Sequence, residues 1–165
     1  MAAVGNKAVS KAVEKLTATE GLASSVAAIA EREQLELSAI SASQVVAQNV
    51  AFELAEKTAG VKYPAVYVYC EGLANLLKEK FRTFSGKVYM AVEVRASHDR
   101  LEGVGASTQY YVEAVTEVLD NNRGEWSPGV YYTGGYKVEF GPIRHGGKNF
   151  LQAAKVRFEL EVSMN

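Results

Sequence analysis

The sequence of 165 residues holds one cysteine, Cys70, two histidines and one tryptophan, and its charges nearly cancel. A lone thiol forms no intrachain disulfide and no cysteine-based zinc cluster within one chain, which points to a reducing compartment. Lys and Arg total 18 against 19 Asp and Glu, a net charge of -1. The basic excess of a protein that neutralises many phosphates is missing, so nucleic acid is not expected as a primary partner. The opening MAAVGNKAVSKAVEKL has no apolar core after its charges, and no run of about 18 apolar residues occurs. Neither a signal peptide nor a membrane span is expected, and the chain reads as a cytosolic product. Walker loops, GxSxG elbows and HExxH helices are missing as well.

What the chain does have is alternation. In Lys87 to Arg100, Val88, Met90, Val92, Val94 and Ala96 alternate with Lys87, Tyr89, Ala91, Glu93, Arg95 and Ser97. That period of two predicts a half-buried strand. The last strand is the clearest, with Val156, Phe158, Leu160 and Val162 on one face and Lys155, Arg157, Glu159 and Glu161 on the other. The charged row is either a solvated face or the lining of a pore. Between the two strands, Val104, Thr108, Tyr111, Val115, Val118 and Asn122 fall three or four apart and predict the main core helix, with Tyr110, Val112, Ala114 and Leu119 widening its stripe. Gly103 and Gly105 weaken the first turn, so its regular part is expected from Ala106.

The remaining segments are fitted around this unit. Val9, Val13 and Leu16, then Leu22, Val26 and Ile29, predict two short Ala-rich helices broken at Thr17–Gly21, with Thr19 as a possible cap. Their thin stripes bury little apolar area, so they are expected to dock weakly on their own core. They either serve a partner surface or form a solvent-facing hairpin. Residues 44–59 read as strand then helix, stopped at Gly60. Pro64 extends the chain into a strand over Ala65–Cys70, where Cys70 is most simply a core residue. Glu71–Leu77 suggests a helical turn, and Lys78–Phe84 an edge strand whose charges discourage pairing. Ser85–Gly86 turns that strand into the central one. Arg123–Gly129 is expected as an exposed loop in which Trp126 either anchors an interface or caps its own core. Val130–Gly141 predicts another strand pair or one bent strand, with the bend at Gly134–Gly135, and residues 142–149 a basic turn-rich loop.

Chemistry is hard to place on this chain. His98 beside Asp99, or near Asp120, suggests a general base at a strand end, but Asp99 also suits a helix cap and His98 a turn. Gly103-Val104-Gly105-Ala106-Ser107 lacks the third glycine of a dinucleotide loop. Gly146-Gly147-Lys148 suits an anion nest or simply a hairpin. Nine tyrosines, a rich sheet and no polar constellation favour binding over catalysis.

Four stretches, YPAVYVYCEGL (63–73), KFRTFSGKVYMAVEVRASHDR (80–100), VLDNNRGEW (118–126) and YYTGGYKVEFGPIRHGGKNFLQAAKVRFELEV (131–162), resemble the tail terminator proteins of long-tailed bacteriophages. The resemblance covers residues 44 to 162 and lies in the order strand, hairpin, helix, hairpin. It implies an α+β fold, a mostly antiparallel or mixed sheet with one main helix packed on it. An N-terminal helical arm over 1–43, outside the resemblance, is expected to precede an α/β tail-terminator-like domain over 44–165. It further implies a structural virion protein, not an enzyme and without cofactors, that closes as a hexameric ring on the head-proximal end of the tail tube. Such a ring stops tube growth and offers a face for head joining. Its partners would be further copies of itself, the tail tube protein, head-completion and neck proteins, and a sheath where the tail contracts. DNA would only pass through the lumen, no membrane would be involved, and assembly would take place in the host cytoplasm. Loops and charge single out Arg123, Trp126, Tyr131, Tyr132, Arg144, His145 and Lys148 as a candidate subunit or tube interface. Lys155, Arg157, Glu159 and Glu161 are the candidate lumen or solvent row. The alternatives are another neck component, such as a head-completion, stopper or adaptor protein, and a small enzyme using His98 and Asp99.

Overall fold

Strand β3 (Phe84–His98) pairs antiparallel with β8 (Asn149–Met164) along its whole length in the computed structural model, which describes residues 2–57 and 60–165. The register places Val88 opposite Leu160, Met90 opposite Phe158 and Val92 opposite Val156, so the two alternating apolar rows coincide on one face. On the other side of β3 lies β2 (Ala65–Asn75), with Val66 opposite Val94 and Val68 opposite Val92, and short β1 (Val45–Val46) runs parallel to it. The far edge of β8 is covered piecewise by β5 (Val130–Tyr132), β6 (Lys137–Phe140) and β7 (Arg144–Gly146), and β4 (Gly124–Ser127) pairs with β5. The fold is thus α+β, as expected, with one mixed, mostly antiparallel sheet of eight strands among the described residues.

Helix α4 (Leu101–Asn121) covers the apolar face with Val104, Thr108, Tyr111, Val112, Ala114, Val115, Val118 and Leu119, all buried. Beside it lie α1 (Ala2–Thr17) and α2 (Leu22–Glu33). Here the structure corrects the expectation of weak docking. Val4, Ala8, Ala12, Leu16, Leu22, Val26 and Ile29 are buried in the same cluster as Val66, Val92 and Val156. The small residues of α1 bring its backbone down onto the sheet: a Cβ added to Gly5 would lie 3.4 Å from Cys70 Sγ. The thin stripe marks close approach rather than weak attachment. Ser25 donates a 2.6 Å hydrogen bond to Glu117, and Arg32 pairs with Glu113 and, at 3.5 Å, with Glu117, tying α2 to α4. The break between α1 and α2 rests on Gly21, where a Cβ would strike the Leu16 carbonyl, and Thr19 does not cap α2.

Four other expectations shift. Residues 71–75 continue β2 past a bulge at Cys70–Gly72 instead of forming a helical turn. Residues 78–83 are a loop and not an edge strand, because the Asn75 side chain closes both ends. It donates to the Thr83 carbonyl at 3.0 Å and accepts from the Leu77 and Ser85 amides at 3.3 and 3.1 Å. Helix α4 begins at Leu101, five residues before Ala106: His98 Nδ1 accepts the Arg100 amide at its start, and the His98 ring fills the space that a Cβ on Gly103 would take. Residues 124–132 form the β4–β5 hairpin in place of an exposed loop. Strand β1 and helix α3 (Phe52–Lys57) follow the predicted order, and the predicted stop is Gly60, at φ +90°. The end of that predicted helix, residues 58–59, lies outside the described residues.

Candidate assembly surfaces

The charged row of β8 lies on the sheet face opposite the helices, and cross-strand partners neutralise most of it. Lys155 Nζ is 4.0 Å from Glu93, Arg157 pairs with Glu71 at 3.0 Å and with Glu139, and Lys87 reaches Glu159 at 2.7 Å. Glu161 is exposed opposite Lys87 and Tyr131. Lys137 and Arg157 hold the Glu139 carboxyl below its usual range, and the Glu71 contact raises Arg157. Apart from Lys155–Glu93, whose side chains are largely covered, these pairs lie at least partly in solvent and contribute little stability each. They leave a polar, almost balanced wall with no convergent charge of one sign.

One end of this face is covered instead. Val46, Val50, Val61 and Tyr63 pack on a second cluster of Ala65, Tyr67, Tyr69 and Ala91. Beneath that segment Arg95 is only 3 % exposed. Its guanidinium lies 4.3 Å from the Tyr67 ring centre and 5.0 Å from that of Phe52, donates to Glu93 at 2.6 Å and bonds the Val50 carbonyl. Burial, then the nearby Glu93 carboxylate, push the Tyr69 hydroxyl upward. Arg95 is legible in the sequence only as one charge in the outer row; its main-chain partner Val50 lies 45 positions earlier in the chain.

Where β5 ends and β6 begins, β8 loses its edge partner. Tyr131 pairs with Glu161 and Lys137 with Arg157, and residues 133–136 bow away between them on Gly134 and Gly135, both at positive φ. A cavity of about 580 Å³ opens there, lined by Gly72, Tyr89, Met90, Tyr136, Phe158 and the glycine loop, with Glu71, Lys137, Arg157 and Glu159 at its walls. A second surface lies at the end of the β2–β3 hairpin. Phe81 is 99 % exposed, and Leu76 and Leu77 are exposed beside it. Leu77 and Phe81 both hold positive φ, 46° and 65°, conformations uncommon for bulky residues. Neither surface was found in the sequence: KEKFRTF imitates an alternating strand, and the cavity depends on where pairing stops.

The predicted interface residues separate. Trp126 and Tyr132 are buried, correcting their assignment to an interface. Their rings and that of Phe158 form a triangle with centroid distances of 5.5, 5.5 and 5.9 Å. Trp126 Nε1 donates to the Asn122 carbonyl at 2.6 Å, and the Tyr132 hydroxyl donates to Gly135 at 3.1 Å. Arg123, Tyr131, Arg144, His145 and Lys148 are exposed. Arg123 lies over Gly134 and within 3.7 Å of Asp120, while the Tyr131 hydroxyl contacts Glu125 at 3.4 Å. Arg144 is held by Glu53 at 3.1 Å and stacks over Phe52. His145 meets Phe150 edge-on at 5.7 Å, and Lys148 sits on the β7–β8 turn beside Gly147.

His98 closes the start of α4. Its Nδ1 accepts the Arg100 amide at 3.0 Å, and the ring borders a cavity of about 550 Å³ with Ser107 and Tyr111. Asp99 Oδ1 lies 3.1 Å from the same nitrogen, but its side chain is 78 % exposed and, like Asp120, does not line that cavity. Among the described residues, no group of three or more His, Cys, Asp and Glu is placed to hold a metal ion, and no helix is long and apolar enough to cross a membrane. Compared with protein-family models and with curated proteins, the chain matches none.

Proposed function

We propose that this chain is a tail terminator: a structural virion protein that closes as a hexameric ring on the head-proximal end of a phage tail tube. The ring ends tube polymerisation and presents its other face to the neck. The observation that carries the reading is the single sheet of eight strands, closed on one face by helices and bearing on the other an ion-paired wall. The resemblant stretches lie in consecutive elements of that sheet and α4. A balanced wall suits a channel through which DNA passes without being gripped, since a basic lining would bind phosphate strongly. The engagement of His98 with the first turn of α4 supports a structural role for that residue and a protein that is not an enzyme. The partners in this reading are further copies of the chain, the tube protein, head-completion and neck proteins, and a sheath where the tail is contractile. Its place is the neck of the virion, after assembly in the host cytoplasm, and it needs no cofactor.

The test is the mass of the purified protein by light scattering across concentration, with negative-stain images of the same sample, alone and with purified tail tubes. Six-fold rings, or capped tube ends, are the expected result. A protein that stays monomeric and leaves tube ends open would overturn the assignment.

A further inference from the structure

Where the C-terminal end of β3 meets the β7–β8 turn, Tyr63, Ser97, His145, Lys148 and Asn149 wall a hollow of about 510 Å³ over Leu151. Gly146 and Gly147 complete its rim, and no acidic side chain lines it. The cavity beside Tyr89 differs on this point, because Glu71 and Glu159 there offset Lys137 and Arg157. An adjoining hollow shares Tyr63 and Ser97 and carries one carboxylate, Glu36, together with His98.

The donors around the hollow are largely unspent. Lys87, Arg144, Lys155 and Arg157 each reach a carboxylate, whereas Lys148 makes no salt bridge among the described residues. Asn149 Nδ2 donates to Ser97 Oγ at 3.2 Å, which uses a lone pair of the hydroxyl and leaves its proton to be given elsewhere. The His145 imidazole meets the Phe150 ring edge-on and carries at least one N–H in any protonation state. Gly147 opens the short turn between the paired residues Gly146 and Asn149, at φ +67°. Nothing lies within 4 Å of the place a Cβ would take there, so the backbone is open to close approach.

Charge and hydrogen-bonding capacity select the same ligand. A cation would meet Lys148 with no carboxylate on the wall to hold it, and an apolar group would strip water from the ammonium without replacing it. An oxyanion satisfies the ammonium and accepts from the hydroxyl and the ring N–H. We propose that the hollow between Ser97 and the β7–β8 turn binds the oxyanion group, phosphoryl or carboxylate, of a small polar ligand, with Lys148 as its counter-charge and Ser97 as a donor. One lysine is too few to neutralise the phosphate row of a nucleic acid, so the ligand is a small molecule. The site stands apart from the tail-terminator reading and does not rest on it.

Amide NMR spectra of the full chain, recorded while inorganic phosphate or, separately, acetate replaces chloride at fixed ionic strength, test the site. Saturable shifts at Ser97 and residues 146–149 are the expected result. Tighter binding of phosphate assigns a phosphoryl ligand and tighter binding of acetate a carboxylate, and either upholds the site. Lys148→Gln removes an exposed charge, so its thermal melt should match the parent while the dissociation constant rises at least fivefold. Ser97→Ala should raise it at least threefold, and Lys78→Gln, beyond the opposite end of β3, should leave it within twofold. Shifts that stay linear in anion, or that Lys148→Gln leaves unchanged, would overturn the proposal. An equal loss in Lys148→Gln and Lys78→Gln would overturn it as well, by reducing the effect to net charge.

Discussion

Trp126, Tyr132 and Phe158 meet in one aromatic cluster under the β4–β5 hairpin, and two of the three also anchor their polar ends to nearby carbonyls. Trp126→Ala is expected to cost about 3–5 kcal/mol, the range for removing a large buried ring, read as a fall in the urea midpoint followed by circular dichroism. Burial, reinforced by Asp120, pushes the Tyr132 hydroxyl up to about 12. In the unfolded chain a tyrosine titrates near 10. Between those values the unfolded state loses its proton first, so the contribution is whole below about pH 10 and gone above about pH 12. The urea midpoint of the parent protein is expected to fall as pH rises through this window, and Tyr132→Phe should make the fall shallower; Tyr69, shifted the same way, retains part of it. Equal slopes in both proteins would contradict the buried hydroxyl. At this scale the sequence was ambiguous for a physical reason. Trp126 in RGEWSPG has polar neighbours on both sides, and its burial is set by Phe158, far along the chain.

At the scale of elements, periodicity located β3, β8 and α4 because each carries a long inward row that packing then used without change. The start of α4 was misplaced by counting helix propensity alone. Glycine inside a helix is worse than alanine by about 1 kcal/mol, yet Gly103 is where the His98 ring lies. Gly103→Ala is therefore expected to destabilise the parent protein by about 1 kcal/mol, through displacement of the ring and of its bond to the Arg100 amide. In a His98→Ala background the same substitution should stabilise by about 0.5–1 kcal/mol as propensity takes over. Urea titrations of the four proteins measure the coupling, and the same sign in both backgrounds would place the ring elsewhere. The loop 76–83 carries a parallel lesson: its alternating sequence suits a strand, but Asn75 closes the turn before a strand can begin.

At the scale of the whole molecule, helices α1 and α2 belong to the core. Helix α1 covers β2 through Ala8, Ala12 and Gly5, and α2 is locked to α4 by Ser25 and Arg32. A protein beginning at residue 44 would leave Val66, Val68 and the flank of α4 open to water. Such a fragment is expected to lack a cooperative thermal transition and to bind a hydrophobic dye, the marks of lost tertiary packing. A sharp melt like that of the full chain would support the division into an arm and a separate domain. Two surface features are likewise properties of the whole: the hairpin tip projects because Asn75 closes it, and the cavity beside Tyr89 exists because β8 outlasts its edge partners.

The α+β class, the inward rows of the two long strands, the main helix and the charged outer row of β8 are all readable along the chain, because each is written in side-chain spacing over consecutive residues. Tertiary structure alone decided that the Ala-rich helices lie in the core, that Trp126, Tyr132 and Arg95 are covered, and where the cavity opens. Those outcomes depend on how closely two distant segments approach. A small residue carries no sign of whether it faces water or a neighbouring backbone, and an edge strand carries no sign of where its partner will end.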